Sequence, residues 1–138
     1  MKRILFVLLM TVAVCGVVSA QNHPYRVVFD LTSTDSLNQM ALTSMMQAIA
    51  RTNPDAEMEV VMYGRGFELV MPEKSTFTNE VTAMLKNPRV SFAVCEMAMK
   101  KHNVNTSMFV KGVRTVPDGV KELVMKQQEG WGYIKAMR

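Results

Sequence analysis

VSFAVCEMAMKK, residues 90–101, changes period half-way along. Val90 to Val94 is an apolar run of strand length, Cys95 stands at its end, and Glu96 to Lys101 reads as a short helix. A buried strand that hands over directly to a helix is the repeating unit of an α/β fold. Parallel neighbours cannot be joined by a tight turn and need a crossover, usually a helix.

The same alternation extends in both directions. Upstream, Tyr25 to Leu31 (YRVVFDL) reads as a first buried strand, followed by the polar stretch Thr32 to Ser36. Ser36 with Gln39 forms a capping box. Leu37, Met40, Ala41, Met45, Ala48 and Ile49 then recur at helical spacing, which predicts a helix to about Arg51 with these residues inward. Asn53-Pro54-Asp55 ends it. Met58 to Tyr63 is a second strand, closed by Gly64-Arg65-Gly66 and followed by a helical turn over Phe67 to Met71. Phe77, Val81, Met84 and Leu85 mark a further helix, stopped by Asn87-Pro88. Downstream, Ser107 to Val116 contains a fourth strand. Pro117 opens and Gly130 closes the last helix, with Val120, Leu123 and Val124 as its inner face. Gly132 to Lys135 is expected as a final edge strand.

The N-terminus has the three parts of an export signal. Lys2 and Arg3 are basic, Ile4 to Val14 is apolar apart from Thr11, and Val18-Ser19-Ala20 suits cleavage after Ala20. The run to Val18 is shorter than the ~18 to 20 apolar residues of a spanning helix. Residues 1–20 are therefore expected to be a cleavable signal peptide. The protein is then periplasmic or otherwise exported, with no membrane attachment after cleavage. Val14 is too bulky to precede a lipidated cysteine at Cys15. Residues 21–138 form one domain of 118 residues, long enough for its own core. They carry 14 basic and 12 acidic side chains. With no RNA-binding or zinc-finger pattern and no basic stripe, nucleic acid is excluded as a partner. Cys15 leaves with the signal, so Cys95 is the one thiol of this domain and no internal disulfide can form.

Ligands of open parallel sheets bind beyond the carboxyl ends of the strands. Those ends bring together Asp30, Thr32 and Asp35 after strand one, and Tyr63, Gly64 and Gly66 after strand two. Cys95 and Glu96 follow strand three, and Pro117 follows strand four. Cys95 at a helix start lies near unpaired backbone N–H groups, which favour the nucleophilic thiolate, while Glu96 adds opposing charge. On this placement the thiol is expected to be accessible; the alternative is a buried cysteine packing a strand end.

The stretch VSFAVCEMAMKKHNV, residues 90–104, resembles the DsrE/DsrF-like family of sulfur-relay proteins, which includes the TusD-type carriers. Cys95, Ala98 and Val104 fit that family's strand–cysteine–helix unit. VVFDLTS near the start and VPDGVKELVMKQQEGWGYI at the end resemble its exported members, so the similarity covers most of Tyr25 to Ile134. The resemblance implies a three-layer α/β sandwich with a mostly parallel sheet of about five strands. It also implies a homo-oligomer, a trimer or hexamer. In relay members the matching cysteine carries sulfur as a persulfide, which implies the same role for Cys95, with a sulfur donor or acceptor protein or a small thiol as partner. The relay members are cytoplasmic, whereas this chain carries an export signal.

Other residues have two readings each. Gly64-Arg65-Gly66 either cradles a phosphate or makes a tight turn with positive φ, and the full dinucleotide fingerprint is absent. His102 has no Cys or His at ligand spacing, and it reads as a helix-end histidine. Asp30 and Asp35 form a carboxylate pair, or else bond the turn and cap the helix. Of 14 methionines, Met40, Met45 and Met62 are expected as core filler rather than a copper surface. Trp131 either lids the site or packs. Cleavage after Ala20 would expose Gln21-Asn22-His23, a motif able to bind Cu(II) or Ni(II) in a square plane. No metal or cofactor is otherwise expected. Two functions follow: sulfur or thiol handling through Cys95, as a persulfide carrier or sulfurtransferase-like protein, or an oligomeric module that binds a small ligand non-covalently in the strand-end pocket.

Overall fold

The computed structural model describes residues 24–136. The signal segment, Cys15 and the Gln21-Asn22-His23 motif lie outside the described residues. The described elements run β1 (Arg26–Leu31), α1 (Ser36–Thr52), β2 (Glu57–Met62), a 3-10 turn (Gly66–Val70), α2 (Thr78–Met84) and β3 (Val90–Cys95). They continue with α3 (Glu96–His102), a short 3-10 turn (Thr106–Met108), β4 (Arg114–Val116), α4 (Gly119–Gln128) and β5 (Gly132–Lys135). The strands stand in the order β4-β3-β2-β1-β5, and every neighbouring pair is parallel. The sheet is thus wholly parallel, and the fourth strand occupies just the last three residues of the stretch in which it was expected.

Strand alternation divides the sheet into two unlike faces. Val27, Phe29 and Leu31 of β1, Met58, Val60 and Met62 of β2, and Val90, Phe92 and Val94 of β3 pack with Leu42, Met46 and Ile49 of α1. Phe67, Leu69 and Val70 of the 3-10 turn, Val81 of α2, and Ala98 and Met99 of α3 complete that core. On the opposite face Val28 and Val61 pack with Leu123 of α4, flanked by Tyr63 and Trp131. Among the described residues α4 is the helix of that face. It crosses β1, β2, β3 and β5.

The second face is polar because the strands place Asp30, Glu59 and Ser91 there. Glu59 is buried, and it binds Arg114 of β4, Lys126 of α4 at 3.4 Å and the Ser91 hydroxyl at 3.1 Å. Arg114 also reaches Glu122 of α4 at 2.8 Å. Burial opposes the Glu59 charge. The Arg114 and Lys126 cations and the Ser91 hydrogen bond outweigh it and hold the carboxyl below its ordinary value of 4.5.

Both long helices bury Ile49 and Leu123 as their apolar periodicity predicts, but otherwise turn a different face inward. In α1 the buried residues are Gln39, Leu42, Thr43, Met46 and Ile49. Leu37, Met40 and Met45 are exposed, Met40 by 46%, so these two methionines are not core filler, whereas Met62 is buried. Gln39 and Thr43 are tolerated inside because Gln39 accepts from Ser75 and the Thr43 hydroxyl bonds back to the Gln39 carbonyl. In α4 Gly119 and Leu123 are buried, while Val120, 53% exposed, and Val124 face outward. Glu122 and Lys126 share the inward side because their partners, Arg114 and Glu59, are there.

The caps also shift by a residue. Asp35, not Ser36, is the N-cap of α1, accepting from the Leu37 N–H at 2.7 Å. Asp118 caps α4, accepting from the N–H groups of Val120 and Lys121, so Pro117 precedes the cap and does not open the helix. Trp131 packs between Lys126, 4.4 Å from its ring centre, and Arg26. Arg26 begins β1, so Trp131 belongs to the amino end of the sheet and lids no strand-end site.

In the Gly64-Arg65-Gly66 turn Gly64 has φ 59°. A Cβ at Gly66 would lie 2.0 Å from the Leu31 carbonyl oxygen, so that position admits no side chain. Gly66→Ala is expected to lose roughly 3 kcal/mol in urea unfolding, against about 1 kcal/mol for Gly64→Ala. Equal losses would mean that the close approach to Leu31 relaxes in solution. Because the Glu59 carboxyl is depressed in the fold, its contribution is present above about pH 4.5 and is lost as pH falls below that. The acid limb of stability should be shallower in Glu59→Gln than in the parent.

Candidate functional site

Cys95 is the last residue of β3 and the N-cap of α3, with φ −69° and ψ 120° and no capping hydrogen bond from its side chain. It is 4% exposed, not openly accessible as its position suggests. It nonetheless lines a cavity of about 210 Å³ with Tyr63, Gly64, Met97, Ala98, Lys101, His102, Asp118 and Val120. β3 sends its chain into α3 on one face, whereas the adjacent β4 sends its chain into α4 on the other. The cavity opens where those two paths diverge.

Gly119 shapes it. A Cβ there would lie 3.1 Å from the Cys95 Cβ, 3.3 Å from the Tyr63 Cβ and 3.4 Å from Val61 Cγ1. The first residue of α4 therefore rests directly on the thiol residue, and a methyl group would have to displace one of the two.

Tyr63 ties the cavity to a buried carboxylate. Asp30 Oδ2 accepts from the Tyr63 hydroxyl at 3.1 Å and from the Tyr133 hydroxyl at 2.7 Å, while Oδ1 is buried without a partner. Burial, then the charge and hydrogen bond of Asp30, raise Tyr63 above the ordinary tyrosine value. Tyr133 is pushed up to about 12 by its hydrogen bond to Asp30, then by burial and by the charges of Asp30 and Tyr63.

Of the residues singled out from sequence, Cys95, Tyr63 and Gly64 line the cavity, and Asp30 is joined to it through Tyr63. Thr32 lies behind Gly64, its carbonyl oxygen 3.6 Å from where a Cβ would stand. Gly66 sits under Leu31 and serves the turn. Asp35 caps α1, and no contact pairs it with Asp30. Glu96 turns to the Thr115 hydroxyl at 2.8 Å, and neither it nor the exposed Pro117 lines the cavity. Lys101, Asp118 and Gly119 were not assigned to the site from sequence, and His102 read there as a helix-end histidine. Helical spacing gave a signal for Lys101 and His102, because residues 98, 101 and 102 return to the side of α3 on which Ala98 lines the cavity. His102 also stacks at 5.6 Å against Phe67. Among the described residues no three His, Cys, Asp or Glu side chains group as a metal site requires.

The DsrE/DsrF-like family model matches residues 26–136, from the start of β1 to just past β5. The chain belongs to the DsrE/DsrF-like family. Its fold is also that of MTH1491, a protein of unknown function from Methanobacterium thermoautotrophicum. The two are 27% identical, with a TM-score of 0.75 over 80% of this chain and 98% of that one. A comparison with curated proteins gives no match.

For a phenol whose value rises in the fold, the stabilisation is complete below the ordinary pH 10 and fades as pH climbs toward about 12. Followed by phenolate absorbance, native protein should keep the Tyr63 and Tyr133 protons to higher pH than protein unfolded in urea. Tyr133→Phe should remove the latest step and cost about 1 kcal/mol below pH 10. Superimposable native and unfolded curves would mean that these hydrogen bonds do not persist.

Proposed function

We propose that this DsrE-family domain handles sulfur through Cys95, carrying it as a persulfide between a donor and an acceptor. The carrying observation is that Cys95, at the end of β3, lines a small cavity with Lys101 and His102. The family is generally one of sulfur relay, which supports that chemistry. The thiolate of Cys95 would attack the outer sulfur of a donor persulfide, and the donor would leave as its own thiolate. The resulting Cys95 persulfide is anionic, and Lys101 supplies a countercharge at the cavity rim.

The export reading of residues 1–20 belongs to the same proposal, with the domain acting in a periplasmic or other exported setting. Its partner there is a sulfur-bearing protein or a small thiol. The domain acts as a homo-oligomer, a trimer or hexamer. The exposed apolar side chains Leu37, Met40 and Met45 on α1 and Val120, Val124 and Met125 on α4 support that reading. Light scattering at micromolar concentration should give a multiple of three chains.

One observation favours a second reading, a module that binds a small ligand without covalent chemistry: Cys95 is nearly buried. Iodoacetamide labelling and intact mass separate the two. A carrier should alkylate at Cys95 while folded and should gain the mass of one sulfur atom when incubated with a persulfide donor. Cys95→Ser should keep its melting temperature within a few degrees and lose both products. Labelling that requires denaturation would instead select the ligand-binding reading.

A further inference from the structure

A larger cavity lies at the opposite end of the strands from Cys95. It is an open cavity of about 340 Å³ between α1, α2 and the first residues of β2 and β3, within the size range of small-molecule sites. Val90 on its wall and Cys95 are the two ends of the same six-residue strand. At the strand rise per residue that separates the two cavities by roughly 16 Å.

Met58, Met84 and Val90 give this cavity an apolar lining, and two opposite charges line it as well. Arg51 comes from the last turn of α1 and Glu80 from the first turn of α2. Among the described residues neither side chain has an ion-pair or hydrogen-bond partner, and they do not pair with each other. The Oε2 atom of Glu80 is buried as well. A buried carboxylate oxygen that accepts no hydrogen bond carries a desolvation cost. Unlike charges held apart over an apolar surface complement a ligand that has both charges and an apolar body.

We propose that this cavity binds an apolar α-amino acid as its zwitterion. The ammonium donates to Glu80, the carboxylate accepts from the Arg51 guanidinium, and the side chain packs on Met58, Met84 and Val90. Arginine suits the carboxylate because its planar fork presents two parallel N–H donors. This site does not depend on the chemistry of Cys95.

Titration calorimetry of the purified protein with L-leucine and with L-methionine tests it. Saturable binding of one ligand per chain is expected for both. Arg51→Ala and Glu80→Gln should each weaken it by about tenfold or more, since each leaves a ligand charge unpaired. Both variants should keep the parent circular dichroism, because Arg51 is exposed and glutamine is isosteric with glutamate. Leucinamide and N-acetyl-leucine, which each lack one charge, should bind at least as weakly as leucine binds the matching variant. Cys95→Ser should bind leucine like the parent, so loss of sulfur chemistry and loss of this site are separable. Absence of saturable heat with both amino acids overturns the proposal, as does equal affinity for leucine and leucinamide. If the two variants leave ligand heat unchanged but alter the mass seen in light scattering, the cavity is a contact between copies of this chain and the proposal fails.

Discussion

Crossovers between parallel strands of one sheet turn with one hand, and the site follows from that constraint. The chain steps from β1 to β2, β3 and β4 in one direction, so the intervening helices pack on one face. It then returns past three strands to set β5 beside β1. The direction has reversed while the hand has not, so α4 must cross on the other face, where Leu123 packs on Val28 and Val61. The carboxyl ends of β3 and β4 are thus neighbours whose chains leave to opposite sides. Such a divergence leaves a crevice that the backbone itself cannot fill. Cys95 is paired with Val116 at its base.

A single helix cannot cover five strands with apolar side chains, and the sequence answers with charge. Glu59 gathers Arg114, Lys126 and Ser91, which between them belong to β4, α4 and β3. Withdrawing a carboxylate from water costs several kcal/mol unless its partners are well placed, so the cluster tolerates little sliding of α4 over the sheet. That rigidity matters at the other end of the helix. A Cβ at Gly119 would stand 3.1 Å from the Cys95 Cβ and 3.3 Å from the Tyr63 Cβ, so the start of α4 has little room to move toward the end of β3. Asp30 restrains the same wall by accepting the Tyr63 hydroxyl.

The elements were legible because parallel strands, buried on both faces, read as short apolar runs punctuated by glycine and proline. VVFDL, MEVVM and VSFAV all lie within a residue of their observed strands. The helix faces were not. Apolar periodicity points inward only when the surface beneath is apolar, and α4 lies on Glu59 and Arg114, which draw Lys126 and Glu122 under the helix and leave Val120 and Val124 outside. In α1, Gln39 and Thr43 enter the core because Ser75 and a main-chain carbonyl satisfy them. Neither partner is visible from the helix alone. The site divides the same way. Cys95 and Tyr63 end strands and could be named from the alternation. Gly119 acts through a contact between segments 24 residues apart in sequence, from Cys95 to Gly119, which no local pattern encodes.

For the carrier proposed above, the burial of Cys95 and its place on a cavity are compatible. A persulfide exposed to water and to other thiols loses its outer sulfur readily, because any thiolate that reaches it can attack. A thiol residue 4% exposed on the wall of a 210 Å³ space has room beside it for an added sulfur atom and for part of a small donor or acceptor. The rim formed by Met97 and Val120 is apolar and exposed, and Lys101 lines the same cavity. A methyl group at position 119 would meet the Cβ atoms of Cys95 and Tyr63 at 3.1 and 3.3 Å, tighter than packed atoms normally approach. Under that proposal, access to Cys95 is limited by the contact between the start of α4 and the end of β3.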